Sequence, residues 1–508
     1  MAFQSILFKD PAKRVGLKSA PPDFFVDLGL DGVAKELVKG FSEFGVESVF
    51  YTPLESVEEI VYRQEVFADL GDQKLMGAIR TFSDRMRTIL AYVGNDRLYE
   101  YQRLGVFLKS VLIYCDALRE LLDALSTSAL HSEGLRGFRD YLSAYLDSGG
   151  FRVLKDDAEG VRLRVTSIGF CVTIKGGSIT VAECEEVKDY SEEVEEVFER
   201  FRYQDSGGED ESVRRPVYVR GHVEEAVLEL AAKLHPKEFG ELSAFYTKHR
   251  DFIDETVVGF YREIQFYLAY LKYVEPIRRG GLPLCIPRLT LDKAAIVCRG
   301  GFDMALAARL LKSGSSVVTN DFYLAGDERI IIVTGPNHGG KTTFAREFAQ
   351  IHYLGKLGVP VPGSEATLFL FDNIFTLFER GEAVESLRGK LEDEIVRIKG
   401  ILERASDRSI LVVNEMLGST AVRDAAAIGR KILRRIVEKG CICVYVTFVD
   451  ELALVEGVVS YVGQVDPDNP EKRTFKVVRQ PPNGLAYALG LAKKHRVRYE
   501  DILERIKP

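Results

Sequence analysis

No stretch of about eighteen apolar residues occurs anywhere in the 508-residue chain, so no membrane-spanning helix is expected. The first residues lack a basic segment followed by a long apolar one, and no secretory leader is expected. Cysteine is scarce. There are seven, none in a Cys-x-x-Cys arrangement, and an odd count argues against a closed disulfide framework. Only Cys441 and Cys443 lie close together, alternating in an apolar run that reads as a buried strand. The seven histidines are dispersed, so a zinc site is not expected, and a reducing, cytoplasmic setting fits. An excess of basic residues is also missing: Lys and Arg number 68 against 76 Asp and Glu, a net charge of −8. That balance excludes a uniformly basic nucleic-acid binder. It leaves room for a local basic stripe, which acts within a Debye length of about 8–10 Å.

What is present is an ordinary globular mix, 46% hydrophobic and 28% charged. The chain is too long for one core and calls for about two to four domains. Its organising stretch is Ile330 to Thr343. A β-branched run ends in a glycine-rich turn, and a helix-prone segment follows. Gly335, Gly340, Lys341 and Thr342 fill the pattern G-x-x-x-x-G-K-[ST]. Glycines let backbone N–H groups curl around an anion, and the positive end of the following helix points at the same place. Lys341 is placed to reach the β- and γ-phosphates, and the Thr342 hydroxyl to hold Mg²⁺. A second buried strand, Ser409 to Val413, ends in Asn414-Glu415. In P-loop ATPases the carboxylate ending this strand helps hold Mg²⁺, often through water, and the next glutamate polarises the attacking water; here Asn414 stands in the carboxylate's place. Glu415 and Lys341 are therefore the candidate catalytic residues, and Thr342 and Asn414 the candidate metal ligands.

Upstream, the pattern changes along the chain. From about 74 to 147 it is helical, with Leu104, Phe107, Val111, Cys115, Leu118, Leu122 and Leu125 on one face, read as core. After Gly149-Gly150 the period shortens. Val161, Leu163, Val165 and the runs flanking Gly176-Gly177 predict a small β insertion over 151–183 with a hairpin. Arg152, Lys155, Arg162, Arg164 and Lys175 make it locally cationic, which suits either a plain structural hairpin or a contact with a DNA backbone. Residues 203–216 read as a polar linker. From Phe239 to Val274 a three-to-four spacing persists without proline, predicting one rod of roughly 55–60 Å. His249 falls on its apolar face and reads as packed rather than ligating.

The segment Gly335-Pro336-Asn337-His338-Gly339-Gly340-Lys341-Thr342-Thr343 resembles the P-loop of the MutS DNA mismatch-repair ATPases, typically Gly-Pro-Asn-x-Gly-Gly-Lys-Ser-Thr. The resemblance continues through Phe344, Arg346, Gly358 and Pro362, and through Asp372-Asn373-Ile374-Phe375-Thr376. Glu415, Thr420, Asp424 and Ile428 follow the family pattern after the second strand. More loosely, Pro53-Leu54, Arg63-Gln64 and Leu70 resemble the start of the family's core domain. The resemblance covers 284–508 well and 50–280 loosely. With a core-like segment beginning near residue 50, it leaves no room for the amino-terminal mismatch-reading domain. Phe41-Ser42-Glu43 and Phe239-Gly240-Glu241 fit the letters of that domain's wedge but sit in helical patterns, and we read them as chance.

The resemblance implies a multidomain chain. An α-helical core and lever region with a small β insertion precedes an α/β P-loop NTPase domain of the ABC type. The implied divisions are 1–150 helical core, 151–190 clamp-like β insertion, 191–280 long-helix lever and 281–508 ATPase. It implies ATP and Mg²⁺ as cofactors, a homodimer with composite ATP sites, and branched, mismatched or otherwise non-B-form DNA as partner.

Three departures qualify it. Asn414 stands where the family has Asp. Phe448 stands where the family has a γ-phosphate-sensing His. Gly389-Lys390-Leu391-Glu392-Asp393-Glu394 replaces a Ser-Thr-Phe-x-x-Glu segment that caps the partner's nucleotide, with Ser386 out of register and Lys390 as a substitute cation. Near the end, Lys476-Val477-Val478 and Gly484 to Leu489 resemble the family's closing segment. An alternative reading is a nucleotide-gated dimeric scaffold with little hydrolysis, and a third is a repair-unrelated ABC-like ATPase.

Overall fold

The computed structural model describes residues 3–175, 178–183, 222–379, 389–418, 420–466 and 473–482, with Tyr499 and Ile502. Two compact units result. One comprises Met1–Gly71, Leu130–Phe138 and Gly259–Pro508; the other comprises Asp72–Ala129 and Arg139–Val258. Contacts rather than chain order define them: residues 1–71 share a unit with the P-loop region and not with 72–129.

Among the described residues the first unit holds five long helices, the second of which begins four residues before the unit resumes at Gly259. They are α1 (Val57–Asp69), α2 (Glu255–Arg279), α3 (Lys341–Leu357), α4 (Lys390–Arg404) and α5 (Val422–Lys439). Six strands form one sheet: β1 (Ile330–Thr334), β2 (Ile374–Leu377), β3 (Ile410–Asn414), β4 (Ile442–Val446), β5 (Val458–Val465) and β6 (Arg473–Arg479). The order is β2-β3-β4-β1-β5-β6. The first five run parallel, and β6 is antiparallel to β5. Continuous apolar runs in β1, β3 and β4 fit strands covered on both faces, and these strands are buried almost throughout. In register, Asn414 lies beside Val446 and Val446 beside Val333. The carboxyl ends of three neighbouring strands thus coincide where α/β sheets place their ligands.

Helix α3 lacks a solvent face. Phe344, Ala345 and every residue from Glu347 to Leu357 are buried. Gly340 starts it and Gly358 stops it, both in left-handed conformation (φ 92° and 78°). A side chain at 358 would meet the Arg63 Cβ and the Ile60 carbonyl at 3.2–3.3 Å, so glycine also permits the approach of α1. The polar residues inside α3 tie it to the chain's early segment. Gln350 donates to the Leu28 carbonyl at 2.6 Å and to Asp303 at 2.9 Å. The Tyr353 hydroxyl donates to the Phe50 carbonyl at 2.5 Å.

At the far end sits Arg63, wholly buried. Its guanidinium donates to the Leu357 carbonyl at 2.8 Å and to the Leu7 carbonyl at 3.1 and 3.3 Å. Phe8 and Phe266 cover it, each 5.3 Å away. Burial lowers its pKa to about 10, leaving it charged at neutral pH. Neighbouring Gln64 donates to the Pro287 carbonyl at 2.9 Å. The Arg-Gln pair singled out in the sequence is therefore an internal fastener.

In the second unit the helical stripe packs as expected, except that Leu121 and not Leu122 completes the buried face. Two expectations are corrected. Gly149–Thr166 is a helix, capped by Ser148, whose side chain accepts the Phe151 N–H. Only Phe170–Lys175 and Ser178–Glu183 form the predicted antiparallel pair. Val161 is buried while Leu163 is exposed, which marks a helical face and not strand alternation. Of the five cations read there, Arg152 pairs with Asp147, Lys155 with Glu159 and Arg164 with Glu241.

The single rod is the other correction. Pro236–His249 and α2 are separate helices. Between them Phe252 turns into the core against Phe107 and Tyr114, and the Asp254 carboxylate accepts the Val257 N–H to start α2 afresh. Helix α2, 25 residues long, spans roughly 37 Å. His249 packs on Phe245 and bonds Asp157 at 2.8 Å.

Cys115, Cys285, Cys298, Cys441 and Cys443 are free, and Cys171 is disulfide-bonded. Among the described residues no helix is long and apolar enough to cross a membrane. The expected linker at 203–216, Ser386 and the segment from Gly484 to Leu489 lie outside the described residues.

Two stability predictions follow from α3. Arg63→Met leaves two buried carbonyls unpartnered and should lower unfolding free energy by about 2–4 kcal/mol in urea denaturation. Arg63→Lys should not restore it, because one ammonium cannot reproduce the fork; a loss under about 1 kcal/mol contradicts the fastener. His352, also buried, packs against Phe348 and Phe322, and burial lowers its pKa from 6.5 to about 4. The unfolded chain then binds the extra proton first, so stability falls as pH drops from about 6.5 to about 4, by up to roughly 3 kcal/mol. His352→Phe should flatten that slope relative to wild type, and an unchanged slope contradicts it.

Candidate nucleotide site

The predicted loop lies between β1 and α3. Gly335 and Gly340 take positive φ (124° and 92°), as does His338 (58°). Gly335 has no alternative. A Cβ there would lie 2.9–3.1 Å from the Gly463 backbone on β5. A Cβ on Gly339 would lie 2.9 Å from the Pro336 carbonyl, and the Gly339 N–H bonds that same carbonyl at 3.2 Å. The loop is thus wound tightly on itself and against the sheet. From β6, Arg473 donates to the Asn337 carbonyl at 3.2 Å.

Lys341, on the first turn of α3, is 4% exposed. Its ammonium donates to the carbonyls of Gly335 (2.9 Å) and Pro336 (3.2 Å) and to the Asn337 side chain (3.3 Å). Burial lowers its pKa, and nearby Glu415 opposes that shift. The Glu415 carboxylate stands 3.9 Å from the ammonium and is 40% exposed. The Thr342 hydroxyl donates to the Asn414 side-chain oxygen at 2.9 Å. Lys341 and Thr342 at the start of α3 thereby meet Asn414 and Glu415 at the end of β3, 72 residues separating Thr342 from Asn414. Two hard oxygen donors, a buried cation and a helix amino end suit a Mg²⁺–triphosphate. Among the described residues no group of three His, Cys, Asp or Glu side chains forms a metal cage.

Phe448 follows β4 and is 46% exposed. It brings an apolar ring to the position where the family resemblance leads one to expect an imidazole. Lys390, read as a substitute cation, pairs with Glu379. Sequence reasoning missed the turn after β3. Glu415 and Leu417 both take left-handed backbone (φ 53° and 69°) without being glycine. Neither position is glycine, and hydrogen bonds from the neighbouring strand and helix grip the turn.

Residues 331–485 match the family model MutS domain V. The DNA mismatch repair protein MutS of Erythrobacter litoralis is 34% identical over 170 residues, 33% of this chain and 19% of that protein. Endonuclease MutS2 of Gemmatimonas aurantiaca is 30% identical over 190 residues, 36% of this chain and 23% of that protein. MutS of Shouchella clausii is 34% identical over 149 residues, 29% of this chain and 17% of that protein. The chain thus spans only about a fifth of the length of these relatives. The matched segment contains Gly335 to Thr343, Asn414 and Glu415 together. Over this segment the chain is similar to MutS domain V and to the MutS and MutS2 proteins that carry it.

Proposed function

We propose that this protein binds ATP with Mg²⁺ at the β1–α3 loop and uses binding and slow hydrolysis to switch its grip on branched or mismatched DNA. In this reading it acts as a cytoplasmic homodimer with ATP sites completed across the interface, in repair or recombination. The observation that carries it is the meeting of Lys341, Thr342, Asn414 and Glu415 at the carboxyl ends of β1 and β3.

Residues Gly335 to Thr343 wrap the triphosphate with backbone N–H groups. Lys341 exchanges its loop carbonyls for β- and γ-phosphate oxygens. Thr342 and Asn414 would hold a Mg²⁺ ion, Asn414 through its side-chain oxygen. Bound Mg²⁺ supplies charge neutralisation on the phosphate oxygens. Glu415 orients the attacking water and takes its proton. Asn414 offers an oxygen without charge, and Phe448 offers no hydrogen bond to the γ-phosphate. Both slow turnover, and they favour the second reading, a nucleotide-gated scaffold with little hydrolysis. Phosphate release by the purified chain separates the two.

Lys341→Ala should abolish ATP binding measured by calorimetry; retained affinity contradicts the site. Asn414→Asp should raise hydrolysis several-fold, and no change removes metal charge as the limiting factor. Binding to a four-way junction should fall steeply with salt, because phosphate contacts release counterions. No binding to junction or duplex at low salt, with or without ATP, ends the DNA assignment.

A further inference from the structure

Helix α4 opens with three acidic residues, Glu392, Asp393 and Glu394, of which only Glu394 is buried (5% exposed). Burying a carboxylate is costly unless it is hydrogen-bonded. Glu394 Oε2 accepts the Leu417 N–H at 2.8 Å. That N–H belongs to the turn that follows Asn414 and Glu415.

The turn is unusual in three ways. Glu415 and Leu417 hold left-handed backbone that L side chains disfavour. Met416 and Leu417 are buried at 2% and 1% exposure. Side chains from two other elements also grip its backbone. From β4, the Tyr445 hydroxyl donates to the Met416 carbonyl at 3.2 Å. From α4, Glu394 accepts from Leu417. A third bond, from the Glu415 N–H to the Val446 carbonyl at 2.9 Å, continues the sheet ladder one residue past β3. Within the turn there is one longer local bond, from the Thr420 N–H to the Leu417 carbonyl at 3.4 Å, while the bonds to β4 and α4 hold the segment that carries the Glu415 carboxylate 3.9 Å from Lys341.

The geometry points to Glu394 as a positioning residue: by accepting the Leu417 N–H it fixes the turn that aims Glu415 at the nucleotide corner, and it ties that aim to where α4 sits. The inference rests on the hydrolytic role proposed for Glu415. Glu394 touches neither nucleotide nor metal in this scheme and acts only through the turn. Displacement of α4 would then alter hydrolysis while leaving the phosphate loop, built from other elements, able to bind. Nucleotide binding and turnover become separable in one chain.

The test uses the full chain, with Mg²⁺-ATP hydrolysis followed at saturating nucleotide and affinity measured separately by calorimetry. Glu394→Ala should lower kcat by roughly tenfold or more through misplacement of Glu415, with Kd for ATP changed less than about twofold. Glu394→Gln keeps a carbonyl oxygen as acceptor and should keep kcat within about threefold of wild type. If the alanine variant does not fold, Glu394→Asp replaces it, because the shorter side chain withdraws the acceptor and must lower kcat in the same way. Unchanged kcat in Glu394→Ala or Glu394→Asp overturns the proposal, as does an equal loss in Glu394→Gln or a parallel loss of ATP affinity. Glu415→Gln is the companion variant. If it is inactive while Glu394→Ala is normal, only the positioning role fails; if it hydrolyses at the wild-type rate, the Glu415 reading fails and takes this one with it.

Discussion

Helix α3 has one end at the phosphate loop and the other against a buried guanidinium. Most of what is specific in this fold follows from those two attachments. Its amino end carries Lys341 and the partial positive charge expected of a helix start. Its last turn presents the Leu357 carbonyl to Arg63, a cation at the end where the helix dipole favours one. Between the two ends the helix has no wet face, so every neighbour must fit it. Gln350, Tyr353 and Arg63 bond it to residues more than 290 positions earlier. A change in the loop that shifts α3 must therefore be absorbed by the early segment of the same unit. Under the proposed function, these bonds are the route by which nucleotide binding would reach beyond the sheet.

The corner at the ends of β1 and β3 shows how a shared plan is modified. Asn414 keeps the hydrogen bond to Thr342 and so keeps the geometry of the site while removing a charge. Phe448 keeps its place after β4 and loses polarity. Glu415 remains, held by a turn whose backbone is unfavourable by itself. Under the proposed function, such a site would recognise a triphosphate better than it turns one over. Binding is spread over many backbone groups, whereas turnover depends on a few side chains.

The loop was legible because its requirements are local. Gly335, Gly340 and Lys341 must stand at fixed intervals to wrap an anion, and a buried strand must precede them. The apolar runs of β3 and β4 were legible for the same reason. Glycines, spacing and chemistry there depend on neighbours in sequence. The misread parts depend on distant ones. Val161, Leu163 and Val165 alternate in the sequence, yet packing selects a helix over Gly149–Thr166 and leaves Leu163 in solvent. The three-to-four spacing from Phe239 to Val274 runs on through the break at 250–254. Phe252 leaves the helical path to reach Phe107 and Tyr114, more than a hundred residues away. The Arg63-Gln64 pair was noticed in the sequence, but its bonds to Leu357 and Pro287 could not be, and the same holds for the grip of Glu394 on Leu417.

The central claim is that the loop after β1 exists to take a triphosphate in place of its own carbonyls. The most direct measurement is a crystal structure of the full chain grown with Mg²⁺ and a non-hydrolysable ATP analogue. The account predicts the Lys341 ammonium drawn off Gly335 and Pro336 onto phosphate oxygens, with metal between Thr342, Asn414 and the nucleotide. A nucleotide bound elsewhere, with Lys341 still on those carbonyls, would contradict it.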